Sequence, residues 1–342
     1  MRSFIVSSFI SRVLRRLVYS IVRGWLSKGI LFAVYDLEHY PISYDIIWFL
    51  VWVDLKRRRE GLKHLQCVFV PCRDKTTEQL REGYDAVVDS QSRAWRFNNI
   101  CVEATALVPG CGCVVSNTRA MADDMAVIAR MFATSANPDS LPTIYRETID
   151  GLTAEGSNWN GLSASIQGRR YTAQWLEAHI GNRKPVIITL RQYGFDAIRN
   201  SALEEWAAFA KNLDLATYGP VIIPDTDNAM APVPELADFP HFSEAAWNLG
   251  LRMAVNELAY LNMFVNSGPG SLCFLNRKCR YLFFKVTTPT ILATDKQLRR
   301  LGFEPGQSPK FATPFQKWVW EPDNRDILRR EFDAMVSKIE TL

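Results

Sequence analysis

VIITLRQYGFDAIRNS, residues Val186–Ser201, holds a strand, a loop and a helix start in one short segment. Val186, Ile187, Ile188, Thr189 and Leu190 form an apolar, β-branched run after the turn residues Asn182–Pro185, which predicts a buried strand. Beyond the loop, Leu203, Trp206, Ala207 and Ala210 recur at helical spacing. Glu204 and Glu205 fall in the first turn of that helix, and Ser201 or Asn200 is placed to cap it. Arg191 and Arg199 flank the loop. A strand end, two arginines and free helical N–H groups together suit an anion, phosphate above all. The plain alternative is a pair of surface arginines on an ordinary loop. Open α/β sheets bind ligands at strand C-terminal ends, the position this loop would occupy.

The same rhythm extends in both directions. Upstream, Ile30–Tyr35 reads as a strand, Asp36–Pro41 as a polar loop, about Ser43–Glu60 as a helix and Leu65–Val70 as a second strand, a βαβ unit with a parallel sheet. Ala86–Val88 and Cys113–Ser116 are further short strands, with helices over Gln91–Leu107 and near Ala120–Phe132. Ala136–Gly168, rich in Asn, Ser, Gly and Pro, shows no sustained period and reads as the stretch between two domains, with Arg170–Ile180 a bridging helix. Downstream come strand Pro220–Ile223, loop Pro224–Pro240, helix Ser243–Leu261, a strand around Met263–Val265, strand Tyr281–Val286, the segment Trp318–Trp320 and helix Arg325–Leu342. A chain of 342 residues with 48% hydrophobic content can bury two cores. The expected architecture is α/β: two Rossmann-like domains, 29–168 and 169–342, behind a cationic amphipathic helix, 1–28.

That first helix carries an apolar stripe from Phe4 to Trp25 and six basic residues, with no acid before Asp36. Arg12, Arg15 and Arg16 in its middle make it a poor membrane span and a poor signal peptide. It suits either an anionic membrane surface or the protein's own core. The formal charge of +4 argues against a general nucleic-acid binder. Seven scattered cysteines and four histidines form no metal-ligand spacing, so the thiols read as reduced and buried, with no zinc site.

A second feature is the turn Asn266-Ser-Gly-Pro-Gly-Ser271, between an apolar strand and Leu272–Leu275. Gly268 and Gly270 can expose backbone N–H groups, and Ser267 and Ser271 can cap a helix or donate hydroxyl bonds. The turn resembles the Asp-Ser/Thr-Gly-Pro turn of heptosyltransferase-like enzymes, which have the GT-B glycosyltransferase fold, with Asn266 in place of Asp and Gly270-Ser271 where a His is usual. The wider pattern, ITLRQ at 188–192, IRNS at 198–201, VIIPDTD at 221–227 and NSGPGSL at 266–272, also resembles uncharacterised bacterial enzymes of surface-polysaccharide synthesis. The resemblance implies a nucleotide-sugar site in the second domain, with the turn against the donor diphosphate, and an acceptor site in the first.

Sugar transfer from a nucleoside diphosphate leaves new negative charge on the departing group, which arginines, lysines and helix N-termini can stabilise without a metal. Arg191, Arg199, Asn266, Ser267, Gly268, Gly270 and Ser271 are the expected donor-binding residues, with Lys285 a weaker addition. Inversion would need a base from the first domain's loop, where Asp36, Glu38 and His39 are nearest, with Asp45 behind them. Asp225-Thr-Asp227 matches the metal-binding triplet of the other large glycosyltransferase fold, but it also suits an acidic turn. The expected activity is transfer to a glycan or glycolipid acceptor at the cytoplasmic face of the membrane, with a nucleotide sugar as co-substrate and no separate cofactor. Two other classes stay open: a nucleotide-sugar epimerase of the same architecture, and a non-catalytic binding subunit.

Overall fold

The computed structural model describes residues 29–72, 88–116, 119, 131–132, 140–289 and 293–341. The amphipathic helix expected over 1–28, most of the helix expected near Ala120, and Ala86 lie outside them. Within the described residues the chain builds two parallel sheets. The first comprises β1 (Ile30–Asp36), β2 (His64–Val70), β3 (Cys111–Val115) and β4 (Met131–Phe132), in the order β3-β2-β1-β4. The second comprises β5 (Lys184–Thr189), β6 (Tyr218–Ile223), β7 (Leu261–Val265), β8 (Tyr281–Phe284) and β9 (Gln316–Trp318), in the order β6-β5-β7-β8-β9. The expected α/β class with two parallel sheets is what the chain adopts. Met131 and Phe132, expected at a helix end, instead pair with Phe32 and Ala33 of β1.

Each strand order reverses direction once, beside β1 in the first sheet and between β5 and β7 in the second. At such a switch point the neighbouring connections leave toward opposite faces and open a crevice at the strand C-terminal ends. The loop after β1, the loop after β5 and the turn after β7 therefore all meet the same kind of crevice.

The helix α1 (Asp45–Arg59) is buried without interruption from Ile46 to Leu55. One flank meets β1 and β2, and the other meets α3 (Ser140–Glu155) and the short α8 (Gly270–Phe274), once α2 (Ser90–Arg96), α4 (Ile166–Ile180), α5 (Leu203–Lys211), α6 (Glu244–Trp247) and α7 (Leu249–Leu258) are counted in chain order. Its apolar run is thus a helix sealed inside protein, where each large side chain contributes about 1.5–3 kcal/mol of burial before entropy is counted. Its one buried acid, Asp54, is paired with Arg57 at 2.7 Å and Arg58 at 3.0 Å.

The helix α3 corrects the expectation of an irregular 136–168. Ile144, Tyr145, Thr148, Ile149 and Leu152 make one buried stripe, in which Thr148 donates its hydroxyl to the Ile144 carbonyl at 2.7 Å. Gly151 lets α3 approach α1, since a Cβ there would lie 2.8 Å from Leu55 Cδ1. The helix expected over Ser243–Leu261 divides at Asn248, which caps α7 by accepting from Leu251 N at 2.8 Å. Two helices complete the chain, α9 (Asp295–Leu301) and α10 (Arg325–Thr341).

The core is continuous between the sheets. Trp48 of α1 stacks on Tyr145 of α3 at 4.3 Å, Phe303 meets Trp48 at 5.7 Å, and Trp318 of β9 meets Phe303 at 4.8 Å. Among the described residues, no helix is long and apolar enough to cross a membrane.

Candidate active site

A cavity of about 660 Å³ lies where the crevices of the two sheets face each other. Its wall takes in the loop after β1 (Leu37 to Asp45), the loop after β5 (Leu190 to Arg199) and the turn after β7 (Asn266 to Pro269). Six arginines reach it, Arg93, Arg96, Arg191, Arg199, Arg252 and Arg300, against two carboxylates, Asp45 and Asp225. That imbalance suits a multiply charged anion.

Arg191 and Arg199 both line this cavity, but in different ways. Arg191 is 4% exposed, and its guanidinium donates to the carbonyls of Phe195 (2.6 Å) and Asp196 (3.0 Å) and to Asn200 Oδ1. It thus folds its own loop, in which Asp196 is held at φ 59°. Burial, and then the charge of Arg199, push the Arg191 pKa down to about 10. Arg199 reaches across to the turn: Nη2 donates to Asn266 Oδ1 at 2.8 Å and Nε to the Asn266 carbonyl at 3.2 Å. Burial lowers the Arg199 pKa as well, and the Asp196 carboxylate 3.6 Å away opposes that shift.

Asn266 is used at both ends, because its Nδ2 donates to the Val286 carbonyl at 2.7 Å. An Asp here could not make that donation, which is a physical reason for the amide. Ser267 Oγ is buried in the wall and has no hydrogen-bond partner among the described residues. Ser271 Oγ instead accepts from Trp48 Nε1 at 3.2 Å, tying the turn to α1. Neither Gly268 nor Gly270 has positive φ. Close approach demands them instead, since a Cβ at 268 would lie 2.6 Å from Tyr44 Cδ2 and one at 270 would lie 2.8 Å from Phe264 Cε2.

Three local expectations need correcting. The start of the helix behind the arginine loop already has a carboxylate beside it: Asp323 accepts from Ala202 N and from Trp206 Nε1, both at 2.9 Å. Ser201 therefore does not cap α5, and its Oγ accepts from Arg191 N at 2.9 Å. Lys285 is absent from the cavity wall, because its Nζ is held by Asp323 at 3.0 Å and by the Asn200 carbonyl at 2.8 Å.

No protein-family model matches the chain, and no curated protein is similar to it in sequence. Solved structures share its architecture. The family 9 glycosyl transferase of Veillonella parvula superposes with a TM-score of 0.50 at 9% identity, covering 91% of this chain and 98% of that one. The ADP-heptose LPS heptosyltransferase II of E. coli superposes with a TM-score of 0.52 at 9% identity, covering 91% and 99%. The chain has a GT-B fold.

On the first-sheet side of this GT-B cleft, the structure separates the four acidic and basic candidates. Asp36 accepts from Arg119 and from Glu38 N at 3.0 Å, and Glu38 lies 3.2 Å from the same guanidinium. His39 is half-buried and outside the cavity wall. Asp45, at the first position of α1, faces the cavity. Its Oδ2 accepts from Ser43 Oγ at 2.6 Å and its Oδ1 from Tyr145 OH at 2.7 Å. The partner Tyr145 belongs to the helix that periodicity missed.

The Asp225-Thr-Asp227 triplet ties loops together. Asp225 accepts from Gln192 N at 3.1 Å and caps its own turn, and Asn228 donates to the Gln192 carbonyl at 2.9 Å. Burial raises the Asp227 pKa, and Arg96, 3.5 Å away, works against that rise. Among the described residues, no three His, Cys, Asp or Glu side chains converge on one point. Arg252, Arg93 and Arg300 are not among the expected site residues, because each lies within a helix, away from any loop motif.

Proposed function

We propose that this protein is a glycosyltransferase that takes its sugar from a nucleoside diphosphate. The observation that carries the reading is the cavity itself, with six arginines, two carboxylates and two switch-point loops clipped together by Arg199 and Asn266. Arg199 and the Ser267 hydroxyl are offered to the diphosphate, and Arg191 holds the loop that presents Arg199.

The reaction breaks the bond between the sugar's anomeric carbon and the diphosphate oxygen and forms one to an acceptor hydroxyl oxygen. The electron pair of the broken bond leaves with the nucleoside diphosphate, and arginines already fixed around the site stabilise it without reorganising. For an inverting course, Asp45 is the base that accepts the hydroxyl proton. The hydroxyls of Ser43 and Tyr145 aim its carboxylate at the start of α1. Asp36 and Glu38 are committed to Arg119 in this arrangement. The acceptor, a glycan or glycolipid, enters from the first-sheet side, and residues 1–28 offer a membrane-surface anchor for it.

The test is a thermal-shift screen of nucleoside diphosphates and their sugar conjugates in buffer containing EDTA, followed by a transfer assay with the best donor. A donor that raises the melting temperature in chelator, and is consumed only when acceptor is added, supports transfer. Free sugar released without an acceptor points to the epimerase class instead.

A further inference from the structure

The cavity runs along the C-terminal edge of the second sheet. Its wall takes Asp225 from beyond β6, Arg191 from beyond β5, Asn266 from beyond β7, Phe283 from β8 and Trp318 from β9. In the order β6-β5-β7-β8-β9 these cross all five strands, about 19 Å at ordinary strand spacing. The two ends differ in chemistry. The arginine loop and its clip to Asn266 belong to the β5–β7 end. The strand that carries Trp318, β9, lies three places from β5, about 14 Å away.

Aromatic rings wall the β8–β9 end. Trp318 meets Phe283 at 5.1 Å, Phe274 at 5.2 Å and Phe303 at 4.8 Å. Trp48 and Tyr145 continue this wall from the first-sheet side, 5.7 Å and 6.3 Å from Phe303. Each of these rings is packed into the core behind it and also forms part of the cavity wall. Leu141 of α3 and Leu301 of α9, both half-buried, add aliphatic carbon where those two helices pack together. The polar side chains that α9 brings are Gln297 and the exposed Arg300. A nucleobase or a bare sugar buried among these rings would leave most of its polar edge unmatched, whereas a hydrocarbon chain loses only its contact with water.

Tyr145 joins this wall to the proposed base. Its ring stacks on Trp48 at 4.3 Å while its hydroxyl donates to Asp45 Oδ1 at 2.7 Å. An acceptor hydroxyl that reaches Asp45 therefore has the aromatic end one side chain away. We propose that the β8–β9 end of the cavity binds a hydrocarbon chain, acyl or prenyl, that the acceptor carries close to its accepting hydroxyl. The acceptor's identity rests on the glycosyltransferase reading, but hydrocarbon binding at this end does not. A glycan without such a chain leaves the end unfilled, so this wall selects a lipid acceptor over a free glycan.

The experiment titrates methyl, hexyl and octyl β-glucosides, each below its micelle concentration, into the full chain by calorimetry. The titrations are run with and without the nucleoside diphosphate that stabilises the chain most, and again with its parent nucleoside. Affinity rises about two- to fourfold for each methylene buried, so octyl glucoside binds at least about tenfold more tightly than methyl glucoside, and the nucleotide does not displace it. Leu301→Asn, which sets an amide in the apolar wall, binds octyl glucoside about tenfold more weakly and keeps nucleoside diphosphate affinity within about twofold. Leu141→Trp, which stays apolar and fills the space instead, gives the same loss if the asparagine variant folds poorly. Arg199→Lys leaves octyl glucoside binding unaltered. Equal affinity for the methyl and octyl glucosides, or octyl affinity unchanged in both leucine variants, overturns the proposal. So does displacement of octyl glucoside by the parent nucleoside, which marks this end as the pocket for the donor's base. If no nucleoside diphosphate binds, the glycosyltransferase reading falls, and the same titrations on the nucleotide-free chain still decide whether the aromatic end holds hydrocarbon.

Discussion

Arg199 Nη2 donates to Asn266 Oδ1 at 2.8 Å while Nε of the same side chain donates to the Asn266 carbonyl at 3.2 Å. One guanidinium thus closes the loop after β5 onto the turn after β7, across the switch point of the second sheet. Asn266→Ala removes the acceptor of Arg199 and the donor to Val286 at once. It should destabilise the free chain by about 1–3 kcal/mol, read as a fall in the denaturant midpoint. Arg199→Ala should cost a similar amount, so a melting temperature unchanged in both variants would show that the clip contributes nothing.

Tyr44 and Gly268 meet across the cavity with no room for a Cβ. Gly268→Ala should therefore destabilise by about 1–3 kcal/mol through overpacking. Adding Tyr44→Ala should recover most of that loss, giving a clear coupling energy in a double-mutant cycle. Simple additivity of the two changes would show that the turn relaxes elsewhere.

Much of this fold is legible in the sequence, and the misses share a cause. Strands such as Val186–Leu190 announce themselves as short β-branched runs, because a parallel strand buried on both faces needs no alternation. The helix α3 was hidden because its buried stripe includes Thr148 and its close contact with α1 needs Gly151; both dilute an apolar period. The carboxylate beside the start of α5 is Asp323, 121 residues from Ala202, and the bond of Trp48 to Ser271 spans 223 residues. No local pattern reports such partners. The same holds for the site: Arg191 and Arg199 stood out by flanking a loop, whereas Arg252 looks like any polar residue on an amphipathic helix until the cavity behind it is seen.

Asp45 carries the acid–base half of the account. With donor and acceptor present, Asp45→Asn should lower kcat by roughly 10²–10⁴-fold while leaving nucleoside diphosphate affinity within about twofold. Tyr145→Phe, which removes only a hydroxyl bonded to Asp45, should have the smaller effect. Should Asp36→Asn abolish turnover while Asp45→Asn spares it, the base lies in the Arg119 pair instead.

Two thiols add a pH dependence whose sign is fixed by burial. Cys101 and Cys111 are both pushed up from 9.0 to about 12, chiefly by burial. The folded chain then keeps protons that the unfolded chain releases. Their contribution to stability is complete below pH 9 and is lost as the pH rises toward 12. Urea midpoints should therefore fall between about pH 8.5 and pH 10.5, and Cys101→Ala should flatten that fall. An unchanged slope in the variant would show that Cys101 titrates normally in the native state.

The central claim is that the clipped loops hold a diphosphate, and calorimetry of a nucleoside diphosphate against its parent nucleoside tests it most directly. A buried arginine–phosphate contact is worth about 1.5–3 kcal/mol, and Arg199→Lys keeps the charge but loses the fork that bridges Asn266 and the ligand. The account predicts that this variant binds the nucleoside diphosphate roughly ten- to a hundredfold more weakly, with nucleoside affinity unaltered. Equal losses for both ligands, or undiminished diphosphate affinity, would contradict it.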